Sequence, residues 1–346
     1  MKKFLKILIS LISVFLIINA TAFAALIISD GSDGAFNPVG SLVTLDLPAD
    51  GIFNFTTINI PAGVTVKFNR NTSNTPVYFA ATGNVNINGV IDVSATATNV
   101  IVNVPNNPKQ TGGPGAYNGG VGGNGNTPVG SNGGGPGGGG GGYSAGGAGN
   151  AIPGNQATKY STESGKGYAG PAVSYPQNLA GGSGGGGGSA IYKFGWYSGG
   201  YGGGGGGAIQ ISTIGNIDIV GAILANGANG GWSYATALAY AGAGGGGSGG
   251  NMELFANAIT LGENALIQAL GGYGGGLGTQ PYSNDPAAYS SGADGGMGYV
   301  KFSANTLDLK GTIDAAVIPI PGAVWLFGSG LIGLVGFRRN HRKKNL

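Results

Sequence analysis

Glycine constrains this chain more than any other feature. It supplies 77 of 346 residues, roughly three times the ~7% of an average protein. Most lie between Gly112 and Gly298, in runs such as Gly137–Gly142, Gly184–Gly188, Gly202–Gly207 and Gly244–Gly247. A run without side chains buries no apolar surface of its own, and ordering it costs more backbone entropy than ordering any other residue type. Such a run either stays disordered or packs backbone on backbone. Disorder goes with a shortage of aromatic residues, yet Tyr143, Tyr192, Trp196, Tyr197, Tyr201, Trp232 and Tyr273 are interleaved with these runs. The composition therefore predicts partly ordered excursions in which extended polyglycine strands lie side by side, close enough for backbone and Cα–H···O contacts. No strict three-residue period is evident, which excludes collagen. Matches to G-x-G-x-x-G carry no information at this glycine content, and the Gly165-Lys166 pair runs into Gly167 rather than Ser or Thr, which excludes a phosphate-binding P-loop.

Between the runs lies an imperfect repeat. The segments Val77–Val93, Ile209–Ala225, Met252–Ala269 and Val300–Ala315 align on alternating apolar residues, and Ile58–Val66 is a degenerate fifth copy. Alternation with Gly or Asn at the breaks predicts short half-buried strands. Each full copy carries an isoleucine at the same place, namely Ile91, Ile223, Ile267 and Ile313, the last three 44 and 46 residues apart. A unit this small cannot bury its apolar face alone, so stacked neighbours must supply the partner. The expected fold is all-β, a repetitive parallel β-solenoid-like stack with glycine-rich excursions. A β-sandwich with packed polyglycine strands is the alternative. In a solenoid Ile223, Ile267 and Ile313 should stack as one buried ladder, with Gln210 and Thr260 on the alternate, charge-tolerant face.

Both ends of the chain read as targeting segments. Lys2, Lys3 and Lys6 precede the apolar run Ile7–Ile18, and Ala22-Phe23-Ala24 places small residues at Ala22 and Ala24 ahead of a cut before Ala25. This is the layout of a secretory signal peptide, and it names signal peptidase as a partner. At the other end, Pro319 and Pro321 are followed by the apolar run Ala323–Phe337 and then by Arg338, Arg339, Arg342, Lys343 and Lys344. The run is at the lower edge of membrane-spanning length, and its one-sided cations fit an orientation with the body outside the cytoplasm. Setting both ends aside leaves eight cations against 13 acidic residues, a body charge of −5. The cations are scattered, so nucleic-acid binding has no support.

The C-terminal wording closely resembles the PEP-CTERM family in its Val-Pro-Leu-Pro-Ala variant. The residues that carry the likeness are Pro319, Pro321, Trp325, Gly328 and Gly330 within Ala323–Leu331, then Arg338 and Arg339. The sequence departs by Ile320 between the prolines and by Gly322 where the variant has Ala. The resemblance implies a sorting signal handled by an exosortase-type membrane protease. It covers about thirty residues and says nothing of the body's activity.

The body's chemistry is restricted. The chain has no Cys, and its single His, His341, lies in the basic tail. Disulfides, thiolate nucleophiles, histidine bases and zinc sites are therefore excluded from the body, and no cofactor is expected. Asp30-Gly-Ser-Asp-Gly34 lacks the ligand spacing of a calcium loop and reads as a solvated turn. Asp92, Asp218 and Asp314 neighbour the repeat isoleucines. As an aligned carboxylate ladder they would suit a polysaccharide-cleaving β-helix; as solvent-facing residues of alternating strands they have no catalytic meaning, and this second reading is the expectation. No catalytic or metal residue is assigned.

The resulting organisation is a signal peptide (1–24), an N-terminal β region (25–104), a glycine-rich insertion (105–206), β repeats with glycine-rich loops (207–316) and a sorting tail with a membrane helix (317–346). The expected role is that of an exported, non-enzymatic structural or adhesive protein of the cell surface or an exopolysaccharide matrix. The alternatives are a carbohydrate-active enzyme using the Asp residues and a polysaccharide- or ice-binding module.

Overall fold

The computed structural model describes residues 26–96, 110–124, 129–142, 144–156, 169–173, 179–191, 197–235, 240–276 and 289–318. The signal peptide with Ala22 and Ala24, the sorting tail from Pro319 onward, and Tyr143, Tyr192 and Trp196 lie outside them. Every regular element among the described residues is a β-strand. None is a helix long and apolar enough to cross a membrane, and the expected C-terminal membrane helix lies outside the described residues.

The strands follow one another in groups along the chain. The first holds β1 (Gly34–Phe36) and β2 (Leu42–Asp46), the second β3 (Ile52–Ile60) and β4 (Thr65–Asn69), the third β5 (Val77–Ala81), β6 (Val85–Ile87) and β7 (Val90–Asp92). A long excursion carrying β8 (Ala190–Ile191) and β9 (Tyr197–Ser198) leads to β10 (Ala208–Thr213), β11 (Asn216–Ile219) and β12 (Ala222–Leu224). The next excursion holds β13 (Tyr234–Ala235) and β14 (Tyr240–Gly242) and returns as β15 (Asn251–Leu261) and β16 (Leu266–Gln268). The last holds β17 (Tyr289–Ser290) before β18 (Tyr299–Leu309), β19 (Thr312–Asp314) and β20 (Ala316–Ile318).

Every pairing in the two large sheets is parallel. One sheet runs β10-β5-β3-β6-β11-β15-β18-β20, and a further β10–β15 pairing closes six of its strands into a ring. The ring closes because two strands are long. β3 pairs with β5 through Ile52–Phe55 and with β6 through Ile58–Ile60, while β15 pairs with β10 through Asn251–Phe255 and with β11 through Ala258–Leu261. The second sheet runs β19-β16-β12-β7-β4-β2.

Register follows the apolar pattern, since a one-residue slip would turn every core side chain outward. Val77, Ile209, Met252 and Val300, the first residues of the four aligned repeats, pair in successive strands. Val66, Ile91, Ile223, Ile267 and Ile313 form one column across the second sheet, as the repeat required. Ile91, Ile223 and Ile267 are fully buried. Phe36, Phe53, Phe55 and Phe68 close the N-terminal end of the core around Phe79, which meets Phe53, Phe55 and Phe68 edge-on at 5.3 Å. Edge-to-face packing of this kind adds to the gain from burial alone.

The excursions associate into one bundle. In the segment 242–250, Gly244, Gly247 and Gly250 donate to the carbonyls of Gly231, Ala228 and Ala225. Gly242, Gly245 and Ser248 donate to Ser189, Gly186 and Ser183, and Gly246 and Gly249 to Ala293 and Gly296. Successive residues thus address three neighbours in turn, and the pattern of a polyproline-II-like helix, three residues per turn with no internal hydrogen bonds, accounts for it. The segment's carbonyls accept from three further chains, through Gly200, Gly203 and Gly206, through Ala145 and Ala148, and through Gly272 and Gly275. Six chains therefore surround this one. A three-residue period, not evident in the composition, does govern the glycine regions.

Space, not conformation, demands glycine here. A Cβ on Gly245 would lie 2.0 Å from the Gly146 carbonyl oxygen, and one on Gly246 would lie 1.9 Å from that of Gly272, while neither residue has left-handed φ. The expected side-by-side polyglycine strands are present, and they join the sheets: Gly207 donates to Val93 and Ala316 to Gly298.

Candidate functional site

The three acidic residues singled out in the sequence do not converge. Asp92 and Asp314 share a column of the second sheet, but Leu224 and Gln268 stand between them. Three strand spacings put their backbones about 14 Å apart, beyond the ~6.5–9.5 Å that separates the carboxyl groups of inverting glycosidases. Asp218 lies in the other sheet, between Asn86 and Thr260. The carboxylate ladder is therefore absent, and each of the two shared-column acids has a local partner. Asp92 pairs with Lys67 at 2.8 Å and accepts from the Ser94 amide at 2.9 Å. Burial pushes its pKa up, but Lys67 and Ser94 together outweigh that and hold it below the usual carboxylate value. Asp314 accepts from Gln268 at 3.1 Å, and Gln268 in turn accepts from Asn226 at 2.8 Å.

The Asp30–Gly34 turn uses its own carboxylates. Asp30 accepts from the Ser32 amide at 2.9 Å, and the Ser32 side chain and then this amide lower its pKa; Asp33 accepts from the Asn54 amide at 2.6 Å. Gly31 and Gly34 take left-handed φ of 75° and 72°, as this tight turn demands. No cluster of metal-ligating residues occurs among the described residues.

The face expected to tolerate charge is in part closed. Tyr78, Gln210, Glu253 and Lys301 form one column, and Gln210 and Glu253 are fully buried. Gln210 donates to Glu253 at 3.2 Å and accepts from the Ile27 amide at 3.0 Å, because the N-terminal segment crosses this face. Lys301 reaches Glu253 at 3.7 Å and lies 5.0 Å from the centre of the Phe255 ring. Burial, and then the Glu253 charge, pushes the Tyr78 hydroxyl up. The expectation for Gln210 is corrected; Thr260 stays half-buried. Asn305 donates to Asn257 at 3.1 Å and Asn257 to Asn216 at 3.3 Å, an asparagine ladder that ties β18, β15 and β11 together.

Two exposed aromatic rings and several polar side chains gather where the second sheet runs into the glycine bundle. Chains 226–232 and 270–276 lie in parallel, with Gly227 and Gly230 donating to Leu270 and Tyr273. Their three-residue period turns Asn226, Asn229 and Trp232 to one side. Asn226 accepts from the Leu270 amide at 2.9 Å, Asn229 from the Tyr273 amide at 2.8 Å, and the Trp232 indole lies 3.7 Å from where a Cβ on Gly276 would sit. Trp232 is 53% exposed and Tyr273 70%. On the next chain Asp294 accepts from the Gly274 amide at 2.7 Å. Sequence reading picked out the two aromatics but missed Asn226, Asn229 and Asp294. The signal was the spacing in Asn226-Gly-Ala-Asn-Gly-Gly-Trp232, where every third residue keeps a large side chain.

Compared with family models, curated proteins and solved structures, the chain matches none.

Proposed function

We propose that this chain is an exported, surface-anchored or matrix-associated structural and adhesive protein without enzymatic activity. A signal peptide cut after Ala24 delivers it, and a PEP-CTERM-like tail passes it to an exosortase-type membrane protease. Its body is a β-solenoid-like stack. The recurrence of one inward column through Val66, Ile91, Ile223, Ile267 and Ile313 supports that finer reading. So does the ring closure, since β3 and β15 each run through a corner that other levels divide between two strands. Parallel pairing throughout the two large sheets does not suit the β-sandwich, which is built from antiparallel sheets.

The observation that carries the functional reading is how the body uses its polar groups. Asp92, Asp314, Gln268, Asn226 and Glu253 hydrogen-bond to one another or to neighbouring strands, and the glycine backbone is committed to a lattice. Such a molecule is built for rigidity and display. The carbohydrate-active alternative loses support from the separation of Asp92 and Asp314. The test is truncation of the tail after Ile318, which keeps β20 paired with β18. The truncated protein should leave the envelope fraction for the periplasm or medium with its fold intact. Unchanged retention at the surface would refute the sorting assignment.

A further inference from the structure

We infer that the strip formed by Trp232, Tyr273, Asn229 and Asp294 is a binding site for an extended, uncharged polysaccharide. The inference rests on the adhesive reading above and gives it a ligand class and residues.

A chain at the edge of the glycine bundle turns two of every three residues inward, so only the third position carries a side chain to the surface. On chains 226–232 and 270–276 that third position holds Asn226, Asn229, Trp232, Leu270 and Tyr273. The strip is therefore set by the bundle's own period. Tyr273 and Gly276 are one turn apart on the same chain, and a three-residue helix rises ~3.1 Å per residue, so they sit about 9 Å apart. The Trp232 indole covers Gly276. Two aromatic groups thus stand one turn apart on one face, a distance that two pyranose rings of an extended glycan bridge. A Cβ at position 276 would meet the indole only at ordinary contact distance, 3.7 Å, so the ring stands one side-chain carbon away from this backbone.

The chemistry fits a sugar. A pyranose ring presents an apolar C–H face and a rim of hydroxyls, and an aromatic ring beside amide and carboxylate oxygens meets both. Asn229 and Asp294 border the rings, each already fixed by a backbone amide. Their anchoring lowers the entropy lost on binding. The amide row continues from Asn226 through Gln268 to Asp314 on the second sheet, so the polar strip extends beyond the rings. Charge decides the class. The acidic groups along the strip are the carboxylates Asp294 and Asp314, and the body's net charge of −5 opposes a polyanion.

The test uses the full-length protein purified from envelopes in detergent, with Trp232→Ala, Tyr273→Ala and the double variant. Binding is measured by pull-down on amorphous cellulose and by affinity electrophoresis in xylan, mannan and dextran, with alginate as the anionic probe. The wild type should be held by at least one neutral polymer and not by alginate. Each single variant should weaken that binding about tenfold, and the double variant should abolish it. Both rings are exposed, so the thermal midpoint of each variant should stay at the wild-type value, which separates loss of the site from loss of the fold. Binding to none of the neutral polymers, preference for alginate, or equal binding by the double variant would each overturn the inference. Surface retention with no glycan binding would overturn this site while leaving the structural role in place.

Discussion

Gly245→Ala should damage this protein far more than a one-carbon change normally does. On an unstrained surface position, Gly→Ala stabilises by about 0.4–1 kcal/mol through the unfolded chain. At Gly245 the new methyl would lie 2.0 Å from the Gly146 carbonyl oxygen and 2.5 Å from its carbon. Ordinary contact begins near 3.4 Å, so the two chains must part by about 1 Å or more. Neither is free to move. Gly245 donates to Gly186 at 2.9 Å and accepts from Gly203 at 2.8 Å, while Gly146 accepts from Gly186 at 3.0 Å. Loss of three such bonds at about 1 kcal/mol each, added to an overpacking cost of about 1–3 kcal/mol, gives about 4–6 kcal/mol. That is a large share of the ~5–15 kcal/mol that holds a typical domain, and it corresponds to a fall in Tm of about 10 °C or more.

Gly276→Ala is the matched control. It lies in the same bundle and lacks left-handed φ, but its Cβ would meet only the Trp232 ring, at 3.7 Å. Its effect should stay within about 0.5 kcal/mol. Thermal unfolding of the two variants compares them, and hydrogen exchange locates the damage, which should fall on the amides of Gly186, Gly203 and Gly245. On the solenoid-like reading the body need not unfold in one step, so the order of the midpoints is the readout. Equal midpoints for Gly245→Ala and Gly276→Ala would refute the view that the bundle is held by backbone approach.

Ile223→Ala opens a cavity in the middle of the buried column and should cost about 2–5 kcal/mol, whereas Gln210→Ala should cost about 1–3 kcal/mol by removing the partner of Glu253 and of the Ile27 amide. Urea midpoints of the two variants check both values, and a neutral Gln210→Ala would mean that the N-terminal segment does not close that face. Lys67→Met bears on pH dependence. The folded pKa of Asp92 lies below its ordinary 3.8, so the stabilisation is fully present above pH 3.8 and is lost as pH falls through the folded value. With Lys67 half-exposed the pair contributes about 0.5 kcal/mol. The gap between wild type and Lys67→Met should be measurable at pH 7 and should shrink as pH falls below 3.8 through the folded value; a gap independent of pH would refute the ion pair as its source.

How much of this was legible in the sequence depends on whether a side chain was present to report its position. Val77, Ile209, Met252 and Val300 could be aligned because strands alternate with period two and the core accepts only one phase. The same alignment already separated the acids: Asp92 and Asp314 directly follow Ile91 and Ile313, while Asp218 lies five residues before Ile223. The position of Gln210 was not legible. Its burial comes from Ile27, 183 residues away along the chain, and local periodicity holds no record of a distant covering segment. The bundle was hidden for a different reason. A glycine looks the same in every phase, so a run such as Gly202–Gly207 cannot show that its residues point in three directions. The phase surfaces only where the lattice ends and a side chain fits, at Asn226, Asn229 and Trp232. The residues that reveal the period are thus the ones at the lattice edge, exposed to whatever the protein meets, and the structural rule and the candidate site are written in the same positions.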